Sequence, residues 1–249
     1  MNAPNPPVSD LPDYSASHLN KGRDYQDAFR EYPGRAIIWE LEQRAIKALL
    51  KGATPKTALD FATGTGRIAR LVKTIFPDCG VVGVDISEKM LAVAKAEGGG
   101  IDYVQLDGRT ATQQLESRSF DLVTAFRFFP NADAPLRRRA AEQIADLVKP
   151  GGLLLANNHR NFWSPTYVIQ RIVLRKKPEG MLNRELIELF TSRGLTVERH
   201  VSIGVVPTTD KKRVLPWPIV RAVEALNYKT AARLHSAGHD TLYLFRKAA

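Results

Sequence analysis

The amino-acid sequence predicts an α/β fold, with a mostly parallel sheet and helices on both of its faces. Two observations predict it. From residue 57 onward, short apolar runs alternate with segments of helical periodicity, which is typical of right-handed βαβ units. The composition, with 44% hydrophobic and 25% charged residues over 249 positions, supplies enough apolar material for the core of such a sheet. The length is compatible with one large domain.

The first 52 residues are predicted to form a tail and a helical cap. Residues 1–13 are rich in Pro, Asn and Asp, a composition typical of frayed termini. Residues 15–32 suit one short helix, and Pro33-Gly34 separates it from a stronger helix that ends at Gly52. The apolar positions of the stronger helix recur near helical spacing, with charged residues between them: Ile37, Ile38, Leu41, Ala45, Ala48 and Leu49.

Residues 53–249 are predicted to form the domain that contains the sheet. Its first strands are predicted at 57–62, 81–84, 103–106, 120–125 and 153–157. The helices between them are predicted at 68–75, 88–97 and 134–148. Segments around 160–195 and 207–238 exceed what such a core needs, so we interpret them as insertions.

Ligands of doubly wound parallel sheets bind at the carboxyl ends of the strands, so the residues after each strand are candidates for a site. Gly64 and Gly66 follow the first strand and allow a sharp turn into a helix whose N-terminus attracts an anionic group. Asp85 ends the second strand about 20 residues later, where a carboxylate can hold ribose hydroxyls. Asp107-Gly108 follows the third strand and suits either a turn cap or a bond to an adenine amino group.

Two cofactors fit this pattern. A nicotinamide dinucleotide would place its pyrophosphate at the helix N-terminus, after a strand that is normally apolar. Asp60, however, lies inside that strand, four residues before Gly64, where a carboxylate without a partner is costly to bury. A buried acid at this position favours a ligand that carries an ammonium group, such as S-adenosylmethionine.

The chain resembles class I S-adenosylmethionine-dependent methyltransferases in five successive segments: LDFATGTGRIARL, VVGVDISEKMLAVAKA, YVQLDG, FDLVTAFRFF and LVKPGGLLLANNHR. The resemblance covers about Ala58–Asn158. It implies a Rossmann-like, seven-stranded sheet with an antiparallel last strand, in which 196–206 and 241–246 are strands six and seven. It also implies S-adenosyl-L-methionine as the cofactor, and insertions that carry the substrate pocket.

The resemblance assigns cofactor binding mainly to the ends of the first three strands. The residues at the glycine-rich turn would line the methionine end, Asp85 would hold the ribose, and the residues after the second and third strands would lie by the adenine. Because the N-terminal segment folds over the cofactor in similar enzymes, Tyr25 and Tyr32 are predicted to close the acceptor pocket. The predicted cofactor contacts are, in chain order, Arg35, Asp60, Ala62, Gly64, Gly66, Asp85, Ile86, Met90, Asp107 and Gly108. For Ile86 and Met90, plain core packing is an equal alternative.

The residues after strands four and five are candidates for the acceptor side. Arg127 suits either a substrate anion or a surface ion pair, and Phe128 suits either an aromatic wall or core packing. His159 is predicted to be the catalytic base, because a neutral imidazole accepts a proton near pH 7. The alternative for His159 is a hydrogen-bonded histidine at a strand end. The other histidines, His239 among them, have no comparable placement.

We predict methyl transfer to a small molecule, at a hydroxyl, amine or carbon of a metabolite or quinone-like lipid. Phe129-Pro130-Asn131 lacks the Asn/Asp-Pro-Pro-Tyr/Phe pattern of enzymes that methylate adenine or glutamine nitrogens. Cys79, the only cysteine, precedes the second strand at the far end of the sheet, which argues against cytosine C5 chemistry. A single cysteine also excludes an intramolecular disulfide.

Three alternative functions remain. A net charge of +10, with basic groups at 137–139, 175–177 and 211–213, suits an RNA methyltransferase acting on tRNA or rRNA. The second is a non-catalytic S-adenosylmethionine-binding partner protein, because fold does not fix function. The third is a dinucleotide-dependent oxidoreductase.

Other features set the expected surroundings of the protein. No metal site is predicted, and no stretch approaches the roughly 20 apolar residues of a membrane span. The N-terminus lacks the basic start and apolar run of a secretory signal, so we expect a cytoplasmic protein. Residues 215–219 suit a pocket wall or a homodimer contact.

Overall fold

The computed structural model describes residues 27–29, 31–115, 119–174, 180–206, 215–230 and 237–249. Over these ranges the chain forms a seven-stranded sheet in the order β3-β2-β1-β4-β5-β7-β6. The strands are β1 (Thr57–Phe61), β2 (Gly80–Asp85), β3 (Asp102–Gln105), β4 (Phe120–Ala125), β5 (Val148–Asn158), β6 (Leu195–Ile203) and β7 (Asp240–Lys247). Strand β7 runs antiparallel to β5 and β6, and the remaining pairs are parallel. The predicted fold class is confirmed, including the antiparallel last strand.

The helices in the described ranges lie mainly between the strands. They are α1 (Pro33–Leu49), α2 (Arg67–Ile75), α3 (Glu88–Ala96), α4 (Ala111–Gln114), α5 (Ala134–Leu147), α6 (Pro165–Leu174), α7 (Asn183–Thr191) and α8 (Trp217–Thr230). Strand β5 begins at Val148 instead of the predicted Leu153, because Pro150-Gly151-Gly152 lies within the strand. A register shift against β4 between Phe120 and Leu122 accommodates it.

Helix α1 begins at Pro33. The sequence instead predicts that Pro33-Gly34 separates two helices. Proline is favourable at the first position of a helix, because its ring fixes a helical φ and its missing N–H would have no partner there. Ile37 and Leu41 of α1 lie in the same core cluster as Leu122 and Leu155 of the sheet. The N-terminal helix is therefore packed on the sheet.

The opposite face of the sheet carries a second core cluster with a row of phenylalanine rings. Neighbouring centroids lie 5.2–5.4 Å apart along this row, which runs Phe61, Phe128, Phe129, Phe190 and Phe245. Burying each ring contributes about 1.5–3 kcal/mol. Phe190 belongs to α7, so this part of the range predicted as an insertion helps to form the core.

The topology brings the carboxyl ends of the six strands β1 to β6 to one edge of the sheet, which we call the carboxyl edge. The chain order reverses between β1 and β4, which are neighbours, and such a reversal opens a crevice at their carboxyl ends. Because β7 is antiparallel, its first residues lie beside the end of β5, with Asn158 opposite Thr241. The beginning of β7 thus lies at this edge with the carboxyl ends of the other strands.

Candidate functional site

Asp60 holds the glycine-rich turn between β1 and α2 from the inside. Its Oδ2 accepts hydrogen bonds from Thr63 Oγ1 at 2.5 Å and from the backbone N–H of Ala69 in α2 at 3.1 Å. Its Oδ1 accepts from Thr124 Oγ1 of β4 at 2.7 Å. Burial raises the pKa of the Asp60 carboxyl to about 6, although these hydrogen bonds oppose the rise. Asp60 is 2% exposed and shapes the turn, and its direct contact with a cofactor stays a prediction.

The two glycines of this turn have different roles. Both adopt left-handed backbone conformations, with φ of +55° at Gly64 and +76° at Gly66. A Cβ on Gly66 would overlap the hydroxyl of Tyr103, so this glycine is needed for packing against β3. A Cβ on Gly64 would meet no atom within 4 Å. Gly64 therefore leaves room at the turn for a ligand to approach the backbone.

Two residues other than glycine also have left-handed backbones in the described part of the chain. They are Ala62, with φ of +54°, and Arg127, with φ of +57°. Ala62 directly follows β1, and Arg127 lies two residues after β4. Such conformations cost about 1–2 kcal/mol and are concentrated at functional sites. Both lie at the crevice that the topology opens.

Asp85 joins the end of β2 to the glycine-rich turn. Its Oδ2 accepts a hydrogen bond from the N–H of Gly64 at 2.8 Å, and its Oδ1 accepts from the N–H of Ser87 at 2.9 Å. Burial raises the pKa of the Asp85 carboxyl above its usual value. Ser87 caps α3 by accepting from the N–H of Met90, so Asp85 is not used as the cap. A carboxylate offers about four acceptor sites, so Asp85 can also accept a ligand hydroxyl beside these bonds.

The end of β3 is organised differently. The carboxylate of Asp107 pairs with the Arg109 side chain, with Nε–Oδ distances of 2.9 and 3.0 Å, and accepts the N–H of Arg109 at 2.9 Å. These bonds support the turn-cap alternative, and the contact with an adenine amino group stays a prediction. A Cβ on Gly108 would come within 2.5 Å of the Phe61 ring, so this position needs glycine for packing. Met90 is buried, which supports its core-packing alternative, whereas Ile86 is half-buried; the cofactor contact of both stays a prediction.

A buried polar network lies at the ends of β4 and β5. The Arg127 guanidinium pairs with Glu42 of α1 at 2.9 Å, and Glu42 is fully buried. The N–H of Arg127 donates to Asn157 Oδ1 at 2.7 Å, and Asn157 Nδ2 donates to Asp240 at 3.0 Å. Burial, together with the Glu42 carboxylate, raises the pKa of Asp240 well above its usual range. Arg127 forms the ion pair that the sequence offers as an alternative, but its partner Glu42 is buried instead of lying at the surface. The contact of Arg127 with a substrate anion stays a prediction.

His159 follows β5 and is linked to the segment after β4. Its Nε2 lies 3.4 Å from Asn131 Nδ2, and the same Nδ2 donates to the backbone carbonyl of Arg127 at 2.5 Å. The structure thus places His159 at the carboxyl edge, as predicted, and shows the hydrogen-bonded arrangement of the alternative. Its role as a base stays a prediction.

Three guanidinium groups surround the ring of Phe29. Their central carbons lie 3.4 Å (Arg67), 5.2 Å (Arg127) and 5.3 Å (Arg35) from the ring centroid. Cations favour the face of an aromatic ring, which stabilises this grouping. Arg35, predicted to touch the cofactor carboxylate, therefore lies with two other cations beside the glycine-rich turn.

The remaining predicted acceptor-side residues have mixed outcomes. Phe128 packs in the phenylalanine row and is buried, which supports the core alternative. Tyr32 is half-buried just before α1, and its contact with an acceptor stays a prediction. Tyr25 lies outside the described residues.

Sequence reasoning missed several residues of this edge. Glu42, Asn157 and Asp240 were not singled out, and His239 was set aside. Burial, followed by the charges of Arg127 and Arg160, lowers the pKa of His239 to about 4. The antiparallel course of β7 is the signal that could have placed His239 and Asp240 at the site.

Two absences hold for the described ranges. They contain no group of three or more His, Cys, Asp or Glu side chains arranged to hold a metal ion. They also contain no helix with the length and apolarity needed to cross a membrane.

Comparisons with known proteins point to one family. Residues 58–152 match a family described as a methyltransferase domain. A demethylmenaquinone methyltransferase of Thermus thermophilus is 37% identical over 125 residues, which cover 49% of this chain and 54% of that protein. A trans-aconitate 2-methyltransferase of Methylobacterium radiotolerans is 30% identical over 127 residues, covering 50% and 46%. The chain thus spans about half the length of the curated relatives it matches.

A solved structure supports the fold over nearly the whole chain. The N-methyltransferase NodS of Bradyrhizobium japonicum, in complex with S-adenosyl-L-homocysteine, is 15% identical with a TM-score of 0.60, covering 96% of this chain and 100% of that one. Together with the matched segment, the resemblance read from the five motifs is confirmed. Residues 58–152 form a methyltransferase domain of the class I, S-adenosylmethionine-dependent type.

Proposed function

We propose that this protein transfers the methyl group of S-adenosyl-L-methionine to a small molecule at the carboxyl edge of its sheet. One observation carries the proposal. The glycine-rich turn, Asp85, and the left-handed residues Ala62 and Arg127 meet at the crevice where the strand order reverses. This is the place at which a doubly wound sheet binds a nucleotide-like ligand.

The residues present fit the adenosyl cofactor. The space at Gly64 would admit the methionine end close to the backbone, and Asp85 would accept the ribose hydroxyls. The cations around Phe29, which include Arg35 and Arg67, would attract the carboxylate of the methionine. The bound cofactor supplies an activated methyl group on a sulfonium.

The protein's own contribution is then mainly orientation. A displacement at carbon requires the nucleophile in line with the bond that breaks, and good orientation supplies about 7–11 kcal/mol of the barrier. Asn157 and Glu42 hold Arg127 at the end of β4, and Asn131 links that strand end to His159 after β5. These residues would hold the acceptor beside the methyl group.

A small-molecule acceptor is supported by the named relatives and by the placement of charge. Relatives of this domain include methyltransferases named for demethylmenaquinone and trans-aconitate, whereas two others are named for a release factor glutamine and for malonyl-acyl carrier protein. Two arginines of the basic group at 137–139 pair with carboxylates, Arg137 with Glu185 at 3.4 Å and Arg139 with Glu142 at 3.2 Å. Two ion-paired arginines reduce the support for RNA as the acceptor. The basic groups at 175–177 and 211–213 lie outside the described residues.

The compartment and assembly remain part of the proposal. Cys79 is buried directly before β2, a position that suits a reduced thiol in the cytoplasm. Leu215 and Ile219 expose apolar surface, which the homodimer interpretation requires.

Calorimetric titration of the full chain tests the cofactor. We expect binding of S-adenosylhomocysteine and none of NADH, and a Gly64→Asp variant should bind S-adenosylhomocysteine at least tenfold more weakly, because it fills the space at the turn with a negative side chain. Binding of NADH alone would instead establish the oxidoreductase alternative.

Turnover with methyl-tritiated S-adenosylmethionine tests the acceptor class. We expect label in a small molecule of a cell extract that separates from S-adenosylmethionine on chromatography, and none in purified tRNA or rRNA. Label in the RNA would establish the RNA methyltransferase alternative. Cofactor binding without label in either fraction would establish the non-catalytic alternative.

A further inference from the structure

The exposed apolar side chains of this protein are concentrated in two segments. These are residues 159–182, between β5 and α7, and residues 204–239, between β6 and β7. Nine large apolar side chains are exposed in the described part of the chain, and seven of them belong to these two segments. Large apolar side chains that are exposed together mark surfaces that bind a partner.

The same two segments carry most of the net charge. Residues 159–182 include five basic residues and one acidic residue, and residues 204–239 include six basic and two acidic residues. Together they account for +8 of the net charge of +10, although they make up only 60 of the 249 residues. An excess of this kind attracts a negatively charged partner. Exposed apolar groups and positive charge thus occur in the same segments.

Helix α8 exposes a stripe of apolar side chains while its inner face is fixed to the core. The stripe follows the i, i+4, i+7 spacing of one helix face and consists of Ile219, Val223 and Leu226, which we call the α8 stripe. On the inner face, Val220 is buried in the core, and Glu224 accepts two backbone N–H groups that follow β6, at 3.1 and 2.7 Å. Leu226 is 62% exposed, and the exposed Lys229 lies three positions later, so a positive charge neighbours the stripe.

Helix α6 exposes apolar side chains in the other segment. Trp163 lies just before the helix and is 66% exposed, and the centroid of its ring lies 5.1 Å from that of Phe162. Ile169 and Ile172 lie about one turn apart on the helix, and Ile172 is 71% exposed. We call Trp163, Ile169 and Ile172 the α6 face. Tryptophan is enriched at the boundary between lipid and water, because its ring combines an apolar body with a polar N–H.

Both segments leave the sheet at its carboxyl edge. Strands β5 and β6 end at this edge, and β7 begins there. The two segments also meet, because the backbone N–H of Asn161 donates to the carbonyl of His239 at 3.1 Å and its side chain donates to the carbonyl of Gly238 at 3.0 Å. The α6 face and the α8 stripe therefore belong to segments that emerge at the same end of the molecule.

We propose that the α6 face and the α8 stripe dock on the surface of an anionic phospholipid membrane. The apolar side chains enter the boundary between headgroups and acyl chains, and the basic residues of both segments are attracted to the anionic headgroups. Helices that bind in this way lie on the membrane and do not span it. The docking turns the carboxyl edge of the sheet toward the lipid, and it does not depend on the proposed methyl transfer.

An anionic membrane matches both features of these segments better than two other occupants do. RNA would be attracted by the charge, but proteins read its bases by stacking and by hydrogen bonds, which isoleucine and leucine side chains do not supply. A second copy of the chain would cover the apolar side chains, but it would bring two positively charged surfaces together, and like charges oppose association. Both occupants are outcomes of the tests that follow.

Sedimentation of the full-length protein with vesicles tests the docking. The probes are vesicles of phosphatidylcholine alone and of equal parts of phosphatidylcholine and phosphatidylglycerol, without S-adenosylmethionine. We expect at least tenfold tighter binding to the anionic vesicles, and loss of this preference at high salt, which screens the attraction to the headgroups. Absence of binding to the anionic vesicles would overturn the inference. The proposed methyl transfer would still stand, because no cofactor takes part in this measurement.

Single substitutions test the two apolar surfaces separately. Ile172→Gln in the α6 face and Leu226→Gln in the α8 stripe should each weaken binding to anionic vesicles about tenfold, because each removes an apolar side chain from the lipid boundary. Val197→Gln is the matched control, because Val197 is exposed on β6 outside both segments and should leave binding unchanged. All three side chains are exposed, so we expect the variants to fold. Unchanged binding in either Ile172→Gln or Leu226→Gln would contradict docking through both surfaces.

Tryptophan fluorescence tests whether the α6 face enters the lipid. The emission of Trp163 is obtained as the difference between the unmodified protein and a Trp163→Phe variant. We expect bromine-labelled phosphatidylcholine in the anionic vesicles to quench this emission. Unquenched Trp163 in vesicle-bound protein would overturn the insertion of this face.

The other two occupants are tested with the same variants. We expect Ile172→Gln and Leu226→Gln to leave the oligomeric state, measured by sedimentation velocity, and the affinity for purified tRNA unchanged. A dimer that dissociates in Leu226→Gln would assign the α8 stripe to a second copy of the chain and overturn the inference. Binding of tRNA that both variants weaken would assign the two surfaces to RNA and overturn it as well.

Discussion

The two edges of the sheet hold their carboxylates in opposite ways. At the amino edge, where the parallel strands begin, Asp121 accepts backbone N–H groups of Lys56 and Thr57 at 2.9 Å and pairs with Lys149 at 2.8 Å. Burial alone would raise the pKa of Asp121, but these hydrogen bonds lower it to about 2. At the carboxyl edge, burial raises the pKa of Asp60 to about 6 and also raises that of Asp85.

This difference separates stability from function within one sheet. Asp121 is ionised, partly exposed and surrounded by donors, so its network stabilises the strand ends it joins. The carboxyl edge instead combines buried acids with left-handed residues, both of which cost free energy in the folded state. Features that cost free energy in the folded state are expected at functional sites. The contrast therefore supports the proposal that the site lies at the carboxyl edge, on grounds other than sequence motifs.

The largest expected effect on stability comes from breaking the ion pair at the carboxyl edge. Arg127→Met should lower the free energy of unfolding by about 3–5 kcal/mol, because it leaves Glu42 buried without its cation. The double variant Arg127→Met/Glu42→Met should recover much of this loss. Lys149→Met is the matched change at the amino edge and should cost about 1 kcal/mol or less, since that pair is partly exposed. Urea denaturation measures all three, and equal losses at both edges would contradict the comparison.

The next effect concerns the glycine-rich turn. Gly66→Ala should destabilise the protein by about 2–4 kcal/mol in total, from left-handed strain and from overlap with Tyr103. It should also abolish measurable binding of S-adenosylhomocysteine. Tyr103→Ala removes the overlap but not the strain. Gly66→Ala should therefore lower the free energy of unfolding less in the Tyr103→Ala background than in the unmodified protein. Thermal unfolding and calorimetry check the two effects, and full cofactor affinity in Gly66→Ala would show that the turn is not the binding element.

A smaller effect is expected at Asp85. Asp85→Ala should weaken binding of S-adenosylhomocysteine by about 1–3 kcal/mol through the loss of hydrogen bonds to a charged acceptor. Asp121→Ala should leave the affinity unchanged, because Asp121 lies at the other edge. Calorimetry at 25 °C compares the two variants, and unchanged affinity in Asp85→Ala would remove this residue from the site.

The smallest effect is a difference in the pH dependence of stability. The pKa of Asp60 is raised in the folded state, so its contribution to stability is complete below about pH 4 and is lost as the pH rises through 6. The pKa of Asp121 is lowered, so its contribution is complete above about pH 4 and is lost as the pH falls toward 2. Relative to the unmodified protein, Asp60→Asn should reduce the decline of the free energy of unfolding between pH 4 and 6. Asp121→Asn should reduce the loss of the free energy of unfolding below pH 4. Denaturation curves across this range check the slopes, and slopes of the same sign would contradict the assignment.

The sequence predicted the parts of the site that follow from local physics. Gly64 and Gly66 can be recognised as turn residues from the sequence, because only glycine adopts their backbone conformations without strain. Asp85 can be recognised because it ends an apolar run. The seven strands follow from the alternation of apolar runs and from the family resemblance. These features depend on residues that are close in the sequence, so one sequence is enough to recognise them.

The buried network could not be read in this way. Glu42 lies among charged residues of an amphipathic helix, and its partner Arg127 is 85 positions away. Asn157 and Asp240 are 83 positions apart and meet only because β7 is antiparallel. The burial of Glu42 depends on how α1 packs over the sheet, which its periodicity does not determine. His239 illustrates the same point, since the sequence assigned it no role, and its lowered pKa results from burial and from the charges of Arg127 and Arg160, which are distant in the sequence.

Hydrogen–deuterium exchange with and without S-adenosylhomocysteine tests the difference between the edges most directly. The account predicts slower exchange at the carboxyl edge, in the amides of Gly64, Gly66 and the segment after Asp85, with unchanged exchange at Thr57, Asp121 and the start of β5. Protection at the amino edge, or no protection at either edge under saturating ligand, would contradict the assignment of the carboxyl edge as the cofactor site.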